Sequence, residues 1–240
     1  MLKLDTLRSM SSRFLKLAVC MCLVLARASL AQAQVQATAQ PIIITESAYN
    51  MDAGYSRGKL WWIVVMKNPN ETLFARRPEI RITAKSREGQ ILAVKDKNFP
   101  EIPPGGQLAY GDDLDPGEKP DSVTFEVTGG GFEPTETRPA DYSQRFEFRK
   151  PLLRCNSFNC RLTAEVFNPY SRDADLMGTI LFRSGSGKLL GGDTFFIKQV
   201  PARSTRAFDT SLWIKQPDGT VKTELSAFCG LVAHWDDLIK

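Results

Sequence analysis

The sequence between Leu60 and Asn70, LWWIVVMKNPN, returns one hundred residues later between Cys160 and Tyr170 as CRLTAEVFNPY. Both runs are alternating or β-branched, which is typical of a strand, and both stop at Asn-Pro. Proline has no backbone N–H to give to a neighbouring strand, so it ends such a run rather than continuing a central ladder. The two stretches therefore predict the same early strand in two copies of one module.

The residues that follow keep the same order in both halves. A second predicted strand covers 79–84 in the first half and 177–182 in the second, and each meets a polar turn that contains glycine. The match resumes at IPPGG (102–106) and VPARS (200–204). Short strands separated by Gly, Pro and Asn favour antiparallel sandwiches. We expect an all-β fold of two tandem immunoglobulin- or fibronectin-like antiparallel β-sandwiches after a signal peptide.

The domain boundaries follow from the repeat and from the composition between its copies. Module 1 is expected at 41–128 and module 2 at 145–240. Residues 129–144 combine three glycines with prolines and charges, which is typical of a linker. Residues 34–40 are polar and rich in alanine, so we expect them to be a disordered lead-in.

The first 33 residues have the layout of a cleavable signal peptide. Basic residues precede the apolar run Leu17–Leu25, and Ala31-Gln32-Ala33 resembles a cleavage site. That run is too short to span a bilayer and no other segment is long and apolar enough to cross a membrane, so no transmembrane segment is predicted in the mature chain. The signal contains five of the 31 basic residues and one of the 27 acidic residues, which leaves 26 of each. The mature chain is therefore expected to be periplasmic or secreted, with no nucleic acid as a partner.

Short motifs in both halves resemble a known family. The run VVMKNPN (64–70), a later glycine turn and IPPGG (102–106) are similar to the LEA14-type (WHy) module. The second copy, VFNP (166–169) through Gly187-Lys188 to VPARST (200–205), resembles it too. The bacterial FxLYD domain has a similar strand-and-turn plan, although its literal signature is absent. The resemblance implies an immunoglobulin- or fibronectin-like β-sandwich and supplies no catalytic residues.

Residues that carry catalytic chemistry are few. The one histidine, His234, lies in an apolar strand end, whereas a Ser-His-Asp relay needs a base beside a nucleophile and most catalytic zinc sites need several imidazoles. The run GSGK (185–188) lacks the other residues of a phosphate loop and predicts a hairpin turn. Four acidic residues gather within seven positions, and their spacing favours a solvated loop over a calcium site: Asp112, Asp113, Asp115 and Glu118. No enzymatic activity, cofactor or metal is predicted.

Three cysteines follow the signal, which favours one disulfide and one free thiol in an exported protein. A bridge between Cys155 and Cys160 would staple the hairpin that joins the first two strands of module 2, and we prefer this pairing. The alternative pairs Cys160 with Cys229, because Cys160 aligns with the core-facing Leu60 and Cys229 lies in an apolar strand. The geometry that a disulfide requires leaves both pairings open at the level of sequence.

Module 1 carries an apolar face that module 2 lacks. Alternate residues of a strand face opposite sides, so three apolar side chains are expected to point away from the first core: Trp61, Ile63 and Val65. The equivalent residues of module 2 are polar: Arg161, Thr163 and Glu165. The other module or a folded-back loop could cover the apolar face. Alternatively, the face could bind a partner protein or a second copy of the chain, or form a ligand groove. Our hypothesis is that Trp61, Ile63 and Val65 form an interaction face.

The sequence thus predicts an exported, non-catalytic binding or assembly protein of the cell envelope that acts through this face. Its expected partner is another envelope protein or a second copy of the chain. A periplasmic pilus-type chaperone with two immunoglobulin-like domains is one alternative, which a free edge strand in module 1 with adjacent basic residues would favour. A hydrolase of envelope polymers is another, and it requires carboxylates that converge in a cleft.

Overall fold

A computed structural model of the chain describes residues 39–51, 58–134, 146–156, 159–212, 214, 216–220 and 222–229. Module 1 contains β1 (Ile43–Asn50), β2 (Leu60–Lys67), β3 (Leu73–Lys85), β4 (Ile91–Asn98), β5 (Gln107–Leu114) and β6 (Ser122–Pro134). Module 2 contains β7 (Glu147–Cys155), β8 (Cys160–Phe167), β9 (Ala174–Arg183), β10 (Leu189–Val200), β11 (Thr205–Leu212) and β12 (Lys222–Cys229). Among these residues there is no helix of the length and apolarity that a membrane span requires. The predicted signal peptide, 1–33, and His234 lie outside the described residues.

Each module is a sandwich of two three-stranded antiparallel sheets, and both modules have the same strand order. The sheets of module 1 are β1-β2-β5 and β4-β3-β6, and those of module 2 are β7-β8-β11 and β10-β9-β12. Every strand of module 1 therefore has a counterpart six strands later. The predicted all-β fold with tandem antiparallel sandwiches is confirmed, and the sequence repeat is a repeat of topology.

The Asn-Pro that ends β2 begins with a buried hydrogen-bonding side chain. Asn68 is fully buried, and its Nδ2 donates to the carbonyl oxygens of Leu73 at 2.7 Å and Ile102 at 3.0 Å. Its Oδ1 accepts the backbone N–H of Asn70 at 3.1 Å. One side chain thus joins the β2–β3 connection to the β4–β5 connection and satisfies backbone groups that water does not reach.

The second Asn-Pro repeats this arrangement in module 2. Asn168 is also fully buried, and its Nδ2 donates to the carbonyl oxygens of Arg172 at 2.7 Å and Val200 at 3.0 Å. Its Oδ1 accepts the backbone N–H of Tyr170 at 2.9 Å. The repeated motif therefore has a structural role in each sandwich, because its asparagine joins two loops by hydrogen bonds at one end of the core.

The disulfide joins Cys155 at the end of β7 to Cys160 at the start of β8, which confirms the preferred pairing. The alternative pairing of Cys160 with Cys229 is wrong, because Cys160 already has its partner. Closing so short a loop is expected to contribute about 2 kcal/mol through the unfolded chain.

Two expected boundaries differ from the structure. Strand β6 continues to Pro134 and pairs Gly129 and Gly131 with β3, so the first six residues assigned to the linker belong to module 1. Gln40 exchanges two hydrogen bonds of 2.8 Å with the side chain of Asn70, so the expected disordered lead-in does not include it. The positions 34–38 and 135–144 lie outside the described residues.

Candidate functional site: the seam and cleft between the modules

The apolar face of module 1 is covered by module 2. Ile63 is completely buried and Val65 is 5% exposed, and with Ala109 they form one cluster with Leu181 and Leu189 of module 2. The outer face of sheet β1-β2-β5 thus packs on the outer face of sheet β10-β9-β12. The hypothesis of an interaction face for an external partner is therefore wrong for Ile63 and Val65, which lie in a seam between the modules.

Glycine allows the two sheets to approach closely at this seam. A Cβ atom added to Gly192 would lie 3.0 Å from Cδ1 of Ile63 across the seam, and 2.4 Å from the carbonyl oxygen of Ile180 on the neighbouring strand of its own sheet. A Cβ added to Gly111 would lie 2.9 Å from the same Cδ1 and 3.2 Å from the carbonyl oxygen of Gly192. Glycine inside a strand often marks such an approach. The glycines of β10 are a signal in the sequence that could have indicated a covered surface, but sequence reasoning did not use it.

Two hydroxyl groups connect the backbones across the seam. Thr179 is fully buried, and its Oγ1 donates to the carbonyl oxygen of Ala109 at 2.8 Å. The backbone N–H of Gly111 donates to Oγ1 of Thr194 at 2.9 Å. Strand β5 is hydrogen-bonded to β2 along one edge, and these two bonds join backbone groups of Ala109 and Gly111 to module 2.

An arginine holds the rim of the seam. Arg183 donates to both carboxylate oxygens of Glu46, at 2.6 and 2.9 Å, and to Glu224 at 2.8 Å. The hydrogen bond from Arg183 is the main reason that the pKa of Glu46 lies below its usual value, and burial opposes it. Glu46 and Arg183 are 137 positions apart, so sequence reasoning did not connect them.

A cleft of about 300 Å³ opens beside the seam, and both modules line it. Three aromatic rings contribute to its walls: Trp61, Tyr110 and Phe196. Phe196 is 53% exposed, Tyr110 is 8% exposed, and the partly buried Trp61 packs against the core of module 2. Of the three residues predicted as an interaction face, Trp61 is thus the one that reaches this cleft.

Three carboxylates share the cleft with these rings: Asp112, Asp113 and Asp193. Asp112 accepts hydrogen bonds from Nζ of Lys95 at 2.9 Å and of Lys97 at 3.3 Å, and Lys59 pairs with Asp113. Asp112 and Asp113 belong to β5, so the expectation of a solvated acidic loop is wrong for both of them. Their strand holds them in fixed positions beside lysines.

The lysines keep Asp112 ionised. Burial by itself would raise the pKa of Asp112, but hydrogen bonds from Lys95 and the backbone N–H of Asp113, with the charge of Lys97, hold it below the ordinary 3.8. Burial raises the pKa of Tyr110, and the charge of Asp112 acts in the same direction. At neutral pH the cleft therefore presents a carboxylate without a proton to donate. The described residues offer no cluster of His, Cys, Asp or Glu that would hold a metal ion.

Replacing Lys95 with methionine is expected to raise the pKa of Asp112, because a hydrogen bond that stabilises its charged form is lost. A carboxylate whose pKa is lower in the folded than in the unfolded chain stabilises the fold when the pH is above the unfolded pKa. This contribution is lost as the pH falls through the folded pKa. Lys95→Met should therefore remove part of the acid-dependent stability. NMR titration of aspartate side-chain carbons measures the shift. Arg81→Met is the control, since Arg81 pairs with the exposed Asp96 instead. An unchanged pKa of Asp112 in the Lys95→Met variant would show that Lys95 does not keep Asp112 ionised.

No protein-family model and no curated protein matches the chain. Among solved structures it is similar to a β-glucuronidase from glycoside hydrolase family 2, with a TM-score of 0.25 and 11% identity over 76% of this chain and 25% of the other. A calcium-binding mutant of Bacteroides uniformis β-glucuronidase 2 has a TM-score of 0.20 and 17% identity over 72% of this chain and 24% of the other. The chain thus spans about a quarter of the length of each glucuronidase.

The N-terminal tandem CBM22 domains of Paenibacillus barcinonensis Xyn10C have a TM-score of 0.20 and 6% identity over 84% of this chain and 89% of the other. All three likenesses are to β-rich proteins at low TM-scores, and they carry no argument about a site. The described fold and contacts define a class: a two-module all-β protein whose sandwiches share a buried seam and a cleft.

Proposed function

We propose that the chain is an exported, non-catalytic binding protein of the cell envelope whose ligand occupies the cleft between the modules. The observation that carries the proposal is the half-exposed ring of Phe196, which lies beside Trp61 and three carboxylates in a cleft that both modules build. Binding sites typically combine apolar or aromatic walls with a few placed polar groups. The seam supports this use, because it holds residues from two modules at fixed distances from one another.

The charges around the cleft favour a neutral ligand. Three carboxylates are present, and three lysines accompany them: Lys59, Lys95 and Lys97. Equal numbers of opposite charges produce little net field to attract an ion. An oligosaccharide segment matches this surface, because its C–H faces pack on aromatic rings and its hydroxyls exchange hydrogen bonds with paired charges.

The state of Asp112 argues against this carboxylate as the proton donor that the hydrolase alternative requires. Glycoside hydrolysis uses one carboxylic acid with a raised pKa to protonate the leaving group. The pKa of Asp112 is lowered instead, and Asp113 is paired with Lys59. The disulfide and the predicted signal peptide support export, because disulfides persist in oxidising compartments. The resemblance to LEA14-type modules stays a prediction.

The test is an array of neutral and charged oligosaccharides probed with the mature chain. Phe196→Ala is expected to weaken binding to neutral glycans by about ten-fold, which corresponds to the loss of about 1.4 kcal/mol of contact energy. Ile91→Ala is the matched control, since Ile91 is 58% exposed on β4 of module 1 and does not line the cleft. Binding to no neutral glycan, or equal binding by both variants and the natural chain, would overturn the proposal.

A further inference from the structure

The first strand of module 2, β7, lies at the edge of its sheet and is mostly exposed to water. Seven of its nine residues are exposed, and the other two, Phe148 and Leu153, are half-buried against the core of module 2. Its pairing with β8 is interrupted at a bulge, where Lys150 has a φ of 49° and Pro151 has no backbone N–H to donate. A strand with so few buried contacts opens locally unless another bond holds it.

The counterpart of β7 in module 1 is β1, and module 2 holds that strand in place. Ala48 of β1 packs in the seam, and Arg183 of module 2 donates two hydrogen bonds to Glu46, at 2.6 and 2.9 Å. Leu152 occupies the register position of β7 that Ala48 occupies in β1, and it is 47% exposed. The outer face of β7 is therefore open to water where the outer face of β1 is covered, and the disulfide is the bond that fixes the end of β7.

The two cysteines of this disulfide lie in different surroundings. Cys155 is exposed, whereas Cys160, directly opposite it on β8, is fully buried. A thiolate that approaches from solvent therefore meets Cys155 first. The counterpart of Cys160 in module 1 is Leu60, which is also fully buried. A reduced Cys160 can thus remain in the core, because a buried thiol behaves as a small apolar side chain.

We propose that the disulfide between Cys155 and Cys160 is a redox switch, through which a dithiol releases β7 from β8 while the rest of the protein stays folded. One thiolate of the dithiol attacks Sγ of Cys155, and the electron pair of the broken S–S bond passes to Sγ of Cys160, which takes a proton from water. The second thiolate attacks this mixed disulfide, so Cys155 leaves as a thiolate and the dithiol is oxidised to a disulfide. Release of β7 leaves one edge of β8 without a partner strand, and such an edge accepts another strand.

The first test asks whether the bond is reduced in the folded protein. The mature chain is treated with dithiothreitol in the absence of denaturant, transferred to an alkylating reagent in urea, and digested for peptide mass spectrometry. We expect Cys155 and Cys160 to be alkylated, and the circular dichroism spectrum recorded before the transfer to be that of the folded chain. Reduction that occurs only when urea is present during the dithiothreitol step would overturn the proposal, because the fold would then protect the bond.

The second test measures amide hydrogen exchange in each strand of the oxidised and the reduced chain. Reduction is expected to speed exchange in β7 about thirty-fold, the factor that corresponds to the loss of so short a disulfide loop. Exchange in β1 is expected to stay unchanged, since the hydrogen bonds from Arg183 to Glu46 hold that strand in both states.

Cys155→Ser is the matched variant for this measurement, because it removes the bond through one sulfur-to-oxygen change at an exposed position. Its β7 is expected to exchange as fast as that of the reduced natural chain, and dithiothreitol should have no further effect on it. Unchanged exchange in β7 on reduction, an equal rise in the opposite sheet β10-β9-β12, or a further response of Cys155→Ser to dithiothreitol would each refute the local release of β7.

Discussion

Replacing Ile63 with glutamate is expected to lower the free energy of unfolding by about 3–5 kcal/mol, because an uncompensated carboxylate is then buried between two packed sheets. Ile63 has no exposed surface, and its Cδ1 lies at the close approach of Gly111 and Gly192. Water does not reach the position, and none of the contacts described there offers a cation. Urea denaturation followed by circular dichroism measures the change.

The internal repeat provides a matched control for this substitution. Thr163 of β8 is the counterpart of Ile63, and it is partly exposed on the outer face of sheet β7-β8-β11. Thr163→Glu introduces the same charge at the same place in the same fold, and we expect a change within about 0.5 kcal/mol. Similar stability losses in both variants would show that the burial of Ile63 by module 2 is not the cause.

Replacing Asn68 with aspartate is expected to destabilise the protein by about 3–4 kcal/mol although the side-chain shape is conserved. The Nδ2 of Asn68 lies 2.7, 3.0 and 3.2 Å from the carbonyl oxygens of Leu73, Ile102 and Pro103. In the aspartate variant an acceptor faces these acceptors, so the donated bonds are lost and the oxygens repel one another. Thermal and urea unfolding report the loss.

Two further asparagines test whether the loss of stability comes from the lost hydrogen bonds or from the added charge. Asn98→Asp adds the same charge at an exposed position of β4, and we expect little change. Asn168→Asp tests the counterpart in module 2, which makes the equivalent bonds to Arg172 and Val200, and we expect a loss similar to that of Asn68→Asp. A decrease of less than about 1 kcal/mol in the free energy of unfolding for either variant would contradict the role of these asparagines in joining the two loops, since several buried hydrogen bonds are removed at once.

Local features of the sequence predicted those parts of the structure that depend on neighbours in the chain. The two Asn-Pro stretches predicted matched strands, and the structure places them at β2 and β8. The run GSGK predicted a hairpin turn, and Ser184 closes it by donating its backbone N–H to the carbonyl oxygen of Lys188 at 3.0 Å. The preferred disulfide pairing could be predicted for the same reason, since its cysteines are only five positions apart.

The site depends on contacts between distant parts of the chain, and sequence reasoning reached them incompletely. The alternation of β2 showed that Ile63 points away from its own core, but it did not show what lies opposite. The partner surface belongs to β9 and β10, more than one hundred positions away, and Gly192 admits Ile63 there because it has no side chain. The acidic residues of β5 showed no lysine partners in sequence, because Lys95 and Lys97 reach Asp112 from another strand.

The sequence by itself determined the strand periods and the repeated module and favoured the observed disulfide, because each depends on patterns within a short stretch of chain. Tertiary structure alone decided that the apolar face of module 1 is a seam, that Trp61 and Phe196 share a cleft, and that Arg183 binds Glu46. The physical reason is that burial belongs to pairs of surfaces. An outward apolar residue becomes core or binding surface only when the rest of the chain has folded against it or left it open.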